Sequence, residues 1–180
     1  MKRLFCPLPT LLAAILIGCA APPLETPEAA SRPADFSIQY EWTEGSLPPP
    51  HHYEYVITVT SSGQGQLVLL PDYPSAGVPK WTERFSLDAE ELDRLYQVLK
   101  KNGLFTDDWH QLDAPPVGGS SQTLVVTAGG KRFTVEDYLV ADQQPAAKAI
   151  YEAVNALVPQ EAWDRLDGKR KQYIQEHPRD

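Results

Sequence analysis

Cysteine is almost missing from this chain: there are two, Cys6 and Cys19, both near the start. Everything after residue 19 is free of thiols. That excludes a disulfide framework, a Cys-ligated zinc site and thiol catalysis there, so the folded part is held by its core. Positive charge is also scarce, with 16 Lys and Arg against 24 Asp and Glu and a formal net charge of −8. An acidic chain is repelled by nucleic acid, and bulk nucleic-acid binding is excluded. Long hydrophobic runs are missing too. The uncharged stretch Leu4 to Ile17 would reach roughly 20 Å as a helix, short of the ~30 Å hydrocarbon core, and Pro7 and Pro9 interrupt it. It reads as a removable signal rather than a span.

What is present begins with that segment. Lys2 and Arg3 precede the apolar run, which ends in Leu16-Ile17-Gly18-Cys19. This four-residue box resembles the lipobox of bacterial lipoproteins, a resemblance confined to the first nineteen or so residues. It implies cleavage between Gly18 and Cys19, diacylation of the Cys19 sulfur (palmitate-type chains) and usually acylation of the new N-terminus. Two or three chains at ~0.8 kcal/mol per buried CH₂ give a lasting anchor, where one would be marginal. Ala20 stands where Asp usually marks inner-membrane retention, so the resemblance points to the outer membrane, facing the periplasm, if the organism has two membranes. Loss of Lys2 and Arg3 would take the formal charge from −8 to −10.

The expected organisation is a signal peptide over 1–18, lipidated Cys19 with a tether over 19–35, and one domain over 36–180. Ala20 to Pro33 is rich in Pro, Ala and Glu and offers little apolar surface to bury. Beyond it, Ser37 to Thr43 alternates Ile38, Tyr40 and Trp42 with polar residues, which is a half-buried strand. Tyr53 to Thr60 and Gln66 to Leu70 flank a Ser-Ser-Gly-Gln-Gly turn and form a hairpin. Trp81 to Phe85 is a weaker strand candidate. Asp88 and Glu91 make a capping box for a helix whose stripe is Leu92, Leu95, Tyr96 and Leu99, stopped by Asn102-Gly103. Gln122 to Thr127 and Lys131 to Tyr138 form a second hairpin. A second helix starts at Pro145 with Ala149, Ile150, Ala153, Val154 and Leu157 as its expected buried stripe. A third follows Pro159, anchored by Trp163, Leu166, Tyr173 and Ile174. Strands, helix, strands, helix predict an α+β two-layer sandwich: an antiparallel sheet of about five strands with two or three helices on one face.

No motif names a reaction. His52 and Glu54 could share a strand face and begin a metal site, but His110 and His177 carry no ligand spacing, and no metal or cofactor is expected. Gly118-Gly119-Ser120-Ser121 lacks the G-x-S-x-G elbow and precedes a strand. Asp107-Asp108 and Glu136-Asp137 are neighbours in sequence, which does not fix two carboxyls across a cleft. Arg165 and Lys169-Arg170-Lys171 make a basic helix face. The candidate interaction surface is the stiff segment Pro48, Pro49, Pro50, His51, His52 and Tyr53, which would lose little entropy on binding and which Trp42 and Pro71-Asp72-Tyr73-Pro74 could extend. The expectation is therefore a cell-envelope lipoprotein with a non-catalytic domain that binds an envelope protein or a cell-wall component, held to the membrane through Cys19. An envelope hydrolase with dispersed residues, or an inhibitor of an envelope enzyme, is the alternative.

Overall fold

A computed structural model describes residues 31–178. The expected signal peptide, Cys19 and the expected tether up to residue 30 lie outside the described residues. The strands are β1 Ser37–Thr43, β2 Glu54–Val59, β3 Gln64–Leu70, β4 Trp81–Ser86, β5 Ser121–Ala128 and β6 Lys131–Glu136; the helices are α1 Ala89–Lys101, α2 Gln144–Asn155 and α3 Gln160–Glu176. The fold is α+β, as expected. The sheet has six strands rather than about five, in the order β4-β3-β2-β1-β5-β6, every neighbouring pair antiparallel. The extra strand is β4, an edge whose alternation is softened because Glu83 takes an inward position, opposite Leu67.

Strand periodicity sorts the side chains. Ile38, Tyr40 and Trp42 lie across from Val59, Ile57 and Tyr55 on β2 and from Val126, Leu124 and Gln122 on β5. These residues share one face, and all three helices cover it: Tyr96 of α1 meets Phe36, Tyr151 of α2 meets Tyr40, and Trp163 of α3 meets Tyr55. The other face carries Gln39, Glu41, Thr82, Arg84 and Thr134 in water. Ile57, Leu67, Leu99, Leu124, Val126 and Ile150 have essentially no exposed surface and form the centre of the core.

Helix α1 is built as its sequence dictates. The Asp88 carboxylate accepts the Glu91 N–H while Glu91 accepts the Asp88 N–H, and Leu92, Leu95, Tyr96 and Leu99 are buried. At its end the N–H of Leu104 reaches the Leu99 carbonyl and that of Gly103 reaches Lys100, a Schellman closure that the positive φ of Gly103 allows. Helix α2 differs from expectation. Its buried residues are Ala147, Ile150, Tyr151 and Val154, so the helix is rotated away from the Ala149–Ala153–Leu157 side and turns Tyr151 onto the sheet. Arg32 pairs with Asp93 of α1 at 2.7 Å, and Asp35 accepts the N–H groups of Gly129 and Gly130, so contacts with the domain begin before residue 36. Among the described residues no helix is long and apolar enough to cross a membrane.

Candidate functional site: an aromatic cleft between α2 and the sheet

Where β1 ends and β5 begins, α2 does not fully close over the sheet. A cleft of about 670 Å³ remains. Its floor is Tyr40, Leu139, Ala147 and Tyr151, all buried. Trp42 and Tyr55 form one wall, Tyr138 stands opposite, and Gln122, Asp137 and Asn155 supply polar groups. Gln144, Lys148 and Glu152 line the mouth. The cavity follows from side-chain register: successive inward positions of β1 run Ile38, Tyr40, Trp42, and those of β5 run Val126, Leu124, Gln122. Both strands change from aliphatic to aromatic or amide at the same end.

The rings are in mutual contact. Tyr40 lies 6.0 Å from Tyr55 and 5.7 Å from Tyr151 between centroids, and Trp42 stacks on Tyr55 at 5.2 Å with 19° between planes. Their hydroxyls are anchored inside the protein. Tyr40 donates to Gln122 Oε1 at 2.7 Å, Tyr55 to Asn155 Oδ1 at 2.9 Å, and Tyr151 to the Glu136 carbonyl at 2.9 Å. Asn155 in turn donates to the Tyr151 carbonyl, and Gln144 to that of Leu139. Burial holds the phenols of Tyr40, Tyr55 and Tyr151 above their ordinary ionisation range, with the Asp137 charge adding to the effect on Tyr40 and Tyr151. They are neutral at physiological pH.

Tyr138 is a non-glycine residue in the left-handed region, with φ 56°. Such a conformation costs of order 1–3 kcal/mol and needs surrounding contacts to persist. Here the Asp137 carboxylate accepts the Tyr138 N–H, and the Tyr138 hydroxyl shares its proton between the carbonyls of Gly118 and Ser120. The ring therefore straps the loop before β5 to the end of β6. That loop approaches the segment after β1 so closely that a Cβ on Gly45 would sit 2.6 Å from the backbone of Gly119. The glycine pair 118–119 thus serves backbone contact, and Ser120 enters the framework through its carbonyl.

The proline segment lies beside this cleft and splits in two. Pro48, Pro49 and His51 are exposed, Tyr53 is half-buried, and Pro50 and His52 are buried. His52 stacks on Tyr73 at 3.6 Å, sits 3.0 Å from Glu54 Oε1 through Nε2, and has Nδ1 3.3 Å from the Gly45 carbonyl. Tyr73 closes the loop by donating to the Leu47 carbonyl. His52 and Glu54 do come together, yet among the described residues no three His, Cys, Asp or Glu side chains gather as a metal site. Asp107 and Asp108 belong to the turn after α1, where Asp107 accepts from Thr106 and the Asp108 carbonyl from Gln143. Glu136 is exposed and pairs with Thr123 at the end of β6, and Asp137 just beyond the strand is half-buried; both border the cleft.

The basic face of α3 is committed to its own domain. Arg165 and Lys169 meet Glu83, whose carboxyl they hold below its ordinary range, and Lys171 meets Asp167. The Arg170 guanidinium lies 3.8 Å from the Tyr53 ring centre. The cleft itself was not legible as a site. Tyr40, Trp42 and Tyr55 announce only a half-buried strand, and the signal that could have found it is the coincidence of Gln122, Asn155 and Asp137 with those rings, which needs the strand order. No protein-family model matches the chain, and no curated protein matches it.

Proposed function

We propose that this chain is a lipid-anchored protein of the cell envelope, attached through Cys19, whose α+β domain binds a small organic ligand in the cleft between α2 and the sheet. In an organism with two membranes it belongs on the outer membrane facing the periplasm, where the ligand is an envelope or cell-wall component. The observation that carries the binding reading is the cleft: about 670 Å³, walled by aromatic rings, with a few convergent polar groups. Its lining holds no His, Ser or Cys, so the groups that open acyl-transfer chemistry are not at hand, and its phenols are kept neutral.

The test uses the whole chain and ligand-detected NMR with three sets of small molecules: organic amines, neutral saccharides and carboxylates. Binding by one set, lost in both Trp42→Ala and Gln122→Leu while the circular dichroism is unchanged, supports the cleft. No binding by any set, or binding that survives both substitutions, overturns it. Anchoring is checked separately by labelled palmitate incorporation, which Cys19→Ala should abolish.

A second reading rests on a specific surface. Leu47 and Tyr73 are 43 % and 40 % exposed, and with Pro48 and Pro49 they form a braced tip suited to a protein partner. Deleting Pro48–Pro50 would remove a buried residue. The cleaner probe is Leu47→Ser with Pro48→Ser, which should release a captured envelope protein without moving the melting temperature if the tip is a contact.

A further inference from the structure

Resting on the cleft as the binding site, we infer that its ligand is an organic cation, a small molecule carrying an amine or guanidinium group.

The phenol donors are exhausted. The phenol protons of Tyr40, Tyr55, Tyr151 and Tyr138 are all spent on Gln122, Asn155 and backbone carbonyls. What these residues present is oxygen lone pairs and ring faces, which accept. The donors left beside them are neutral N–H groups, on Gln122 Nε2, Trp42 Nε1 and the second amide protons of Gln144 and Asn155, with the Lys148 ammonium out at the mouth. A ligand that pairs with these phenol oxygens brings its own N–H or O–H groups.

Charge selects further. Asp137 lines the cleft with one carboxylate oxygen on the Tyr138 N–H, and among the described residues it pairs with no Lys, Arg or His. Lys148 at the mouth already faces Glu152 at 3.8 Å. A half-buried carboxylate with no cationic partner among the described residues, set among aromatic faces, attracts a cation by direct Coulomb force and by the ring quadrupoles together. An anion would meet the opposite sign.

The protein provides its own precedent one ring away. Tyr53 lies 4.8 Å from Trp42, in the same aromatic row, and carries the Arg170 guanidinium over its face at 3.8 Å, with Arg170 Nε buried and unpaired among the described residues. The row that holds one cation internally continues into the cleft as Trp42, Tyr55 and Tyr40, over which no Lys or Arg of the described residues lies. Shape agrees: the cavity is large enough for an amine with an organic body, whose apolar part lies on Tyr151 and Ala147.

The test is a titration of the whole chain, followed by ligand-detected NMR, with choline, with agmatine and with 3,3-dimethylbutan-1-ol, the uncharged isostere of choline. Choline and agmatine should bind at least about tenfold more tightly than the isostere, and Asp137→Asn should weaken both by at least about tenfold with little effect on the isostere. Because Asp137 also supports Tyr138, Lys148→Glu provides an independent arm at an exposed position, and it should tighten both cations severalfold. Equal binding of choline and its isostere, unchanged cation affinity in Asp137→Asn, or weaker cation binding in Lys148→Glu would each overturn the inference. Neutral saccharides binding in the cleft in preference to the cations would also overturn it, and would leave the cleft as the binding site. Silence from amines, saccharides and carboxylates alike would remove both.

Discussion

The two ends of the inner sheet face share the same strands and differ in what they ask of them. At the α1 end, Ile38, Val59 and Val126 pack under Leu92, Leu95 and Leu99, and the surface is aliphatic and dry. At the α2 end, two to four residues further along each strand, the inward positions become Tyr40, Trp42, Tyr55 and Gln122, backed by Asp137 and Asn155. The first end gains from apolar burial alone. The second buries hydroxyls and amides that need partners, and it finds them by spending phenol protons on Gln122, Asn155 and Glu136. One end of the sheet therefore supplies stability, and the other holds a polar, incompletely filled arrangement that core packing alone would not select.

The strongest way to break that comparison is to cut each end in turn. Leu99 has no exposed surface and sits in the dry half. Leu99→Ala should cost about 2–5 kcal/mol of unfolding free energy by lost transfer and cavity terms. Urea denaturation measures it, and choline binding to the folded fraction should be unchanged. If Leu99→Ala costs less than a cleft substitution such as Trp42→Ala, the division of labour is wrong.

The wet half has a different signature, in pH rather than size. Tyr40, Tyr55 and Tyr151 are all held above their ordinary 10.0 by burial. Below pH 10 both folded and unfolded chains keep these protons, and stability is flat with respect to them. Above it the unfolded chain releases protons that the folded chain retains, so stability falls as pH rises. Tyr55→Phe should cost about 0.5–1.5 kcal/mol near neutrality, for the bond to Asn155, and should make the alkaline fall shallower. Urea midpoints measured from neutrality to above pH 10 read both. An alkaline limb that Tyr55→Phe leaves equally steep would mean that the phenol is not withheld from water.

The dry half was readable because its rules are local. Asp88 and Glu91 cap α1, Asn102-Gly103 ends it, and its four-residue stripe is buried in full. Period-2 alternation placed Ile38 and Tyr40, and the α+β class followed from element order. β4 was weaker because an edge strand with inward Glu83 carries a mixed pattern. The cleft was not readable because it depends on which strands lie side by side. Gln122 becomes a neighbour of Tyr40 through the β1–β5 pairing, across a long sequence gap. Tyr151 was hidden by a rotation of α2, and Asp137 by its adjacency to Glu136 at the end of β6. His52 was assigned to a surface by its proline neighbours, and its stacking on Tyr73 depends on a loop that returns after β3.

The smallest expected effect lies at the rim of the dry half, at the carboxylate of Asp35. Asp35 precedes β1 and accepts the N–H groups of Gly129 and Gly130 at 2.7 and 2.6 Å, which closes the β5–β6 turn and holds its carboxyl below the ordinary 3.8. A depressed folded value means the contribution is present above about pH 4 and is lost as pH falls through the folded value. Asp35→Asn should lower the urea midpoint slightly at neutral pH, and the gap from the parent chain should narrow as pH falls below the ordinary 3.8 and through the lowered folded value. Choline binding should not move, because the turn lies at the far end of β5 from Gln122. A gap that persists at low pH would assign the effect of Asp35 to shape rather than charge. A change in choline affinity would show that the two ends of the sheet are coupled, and that the dry half does more than support the cleft.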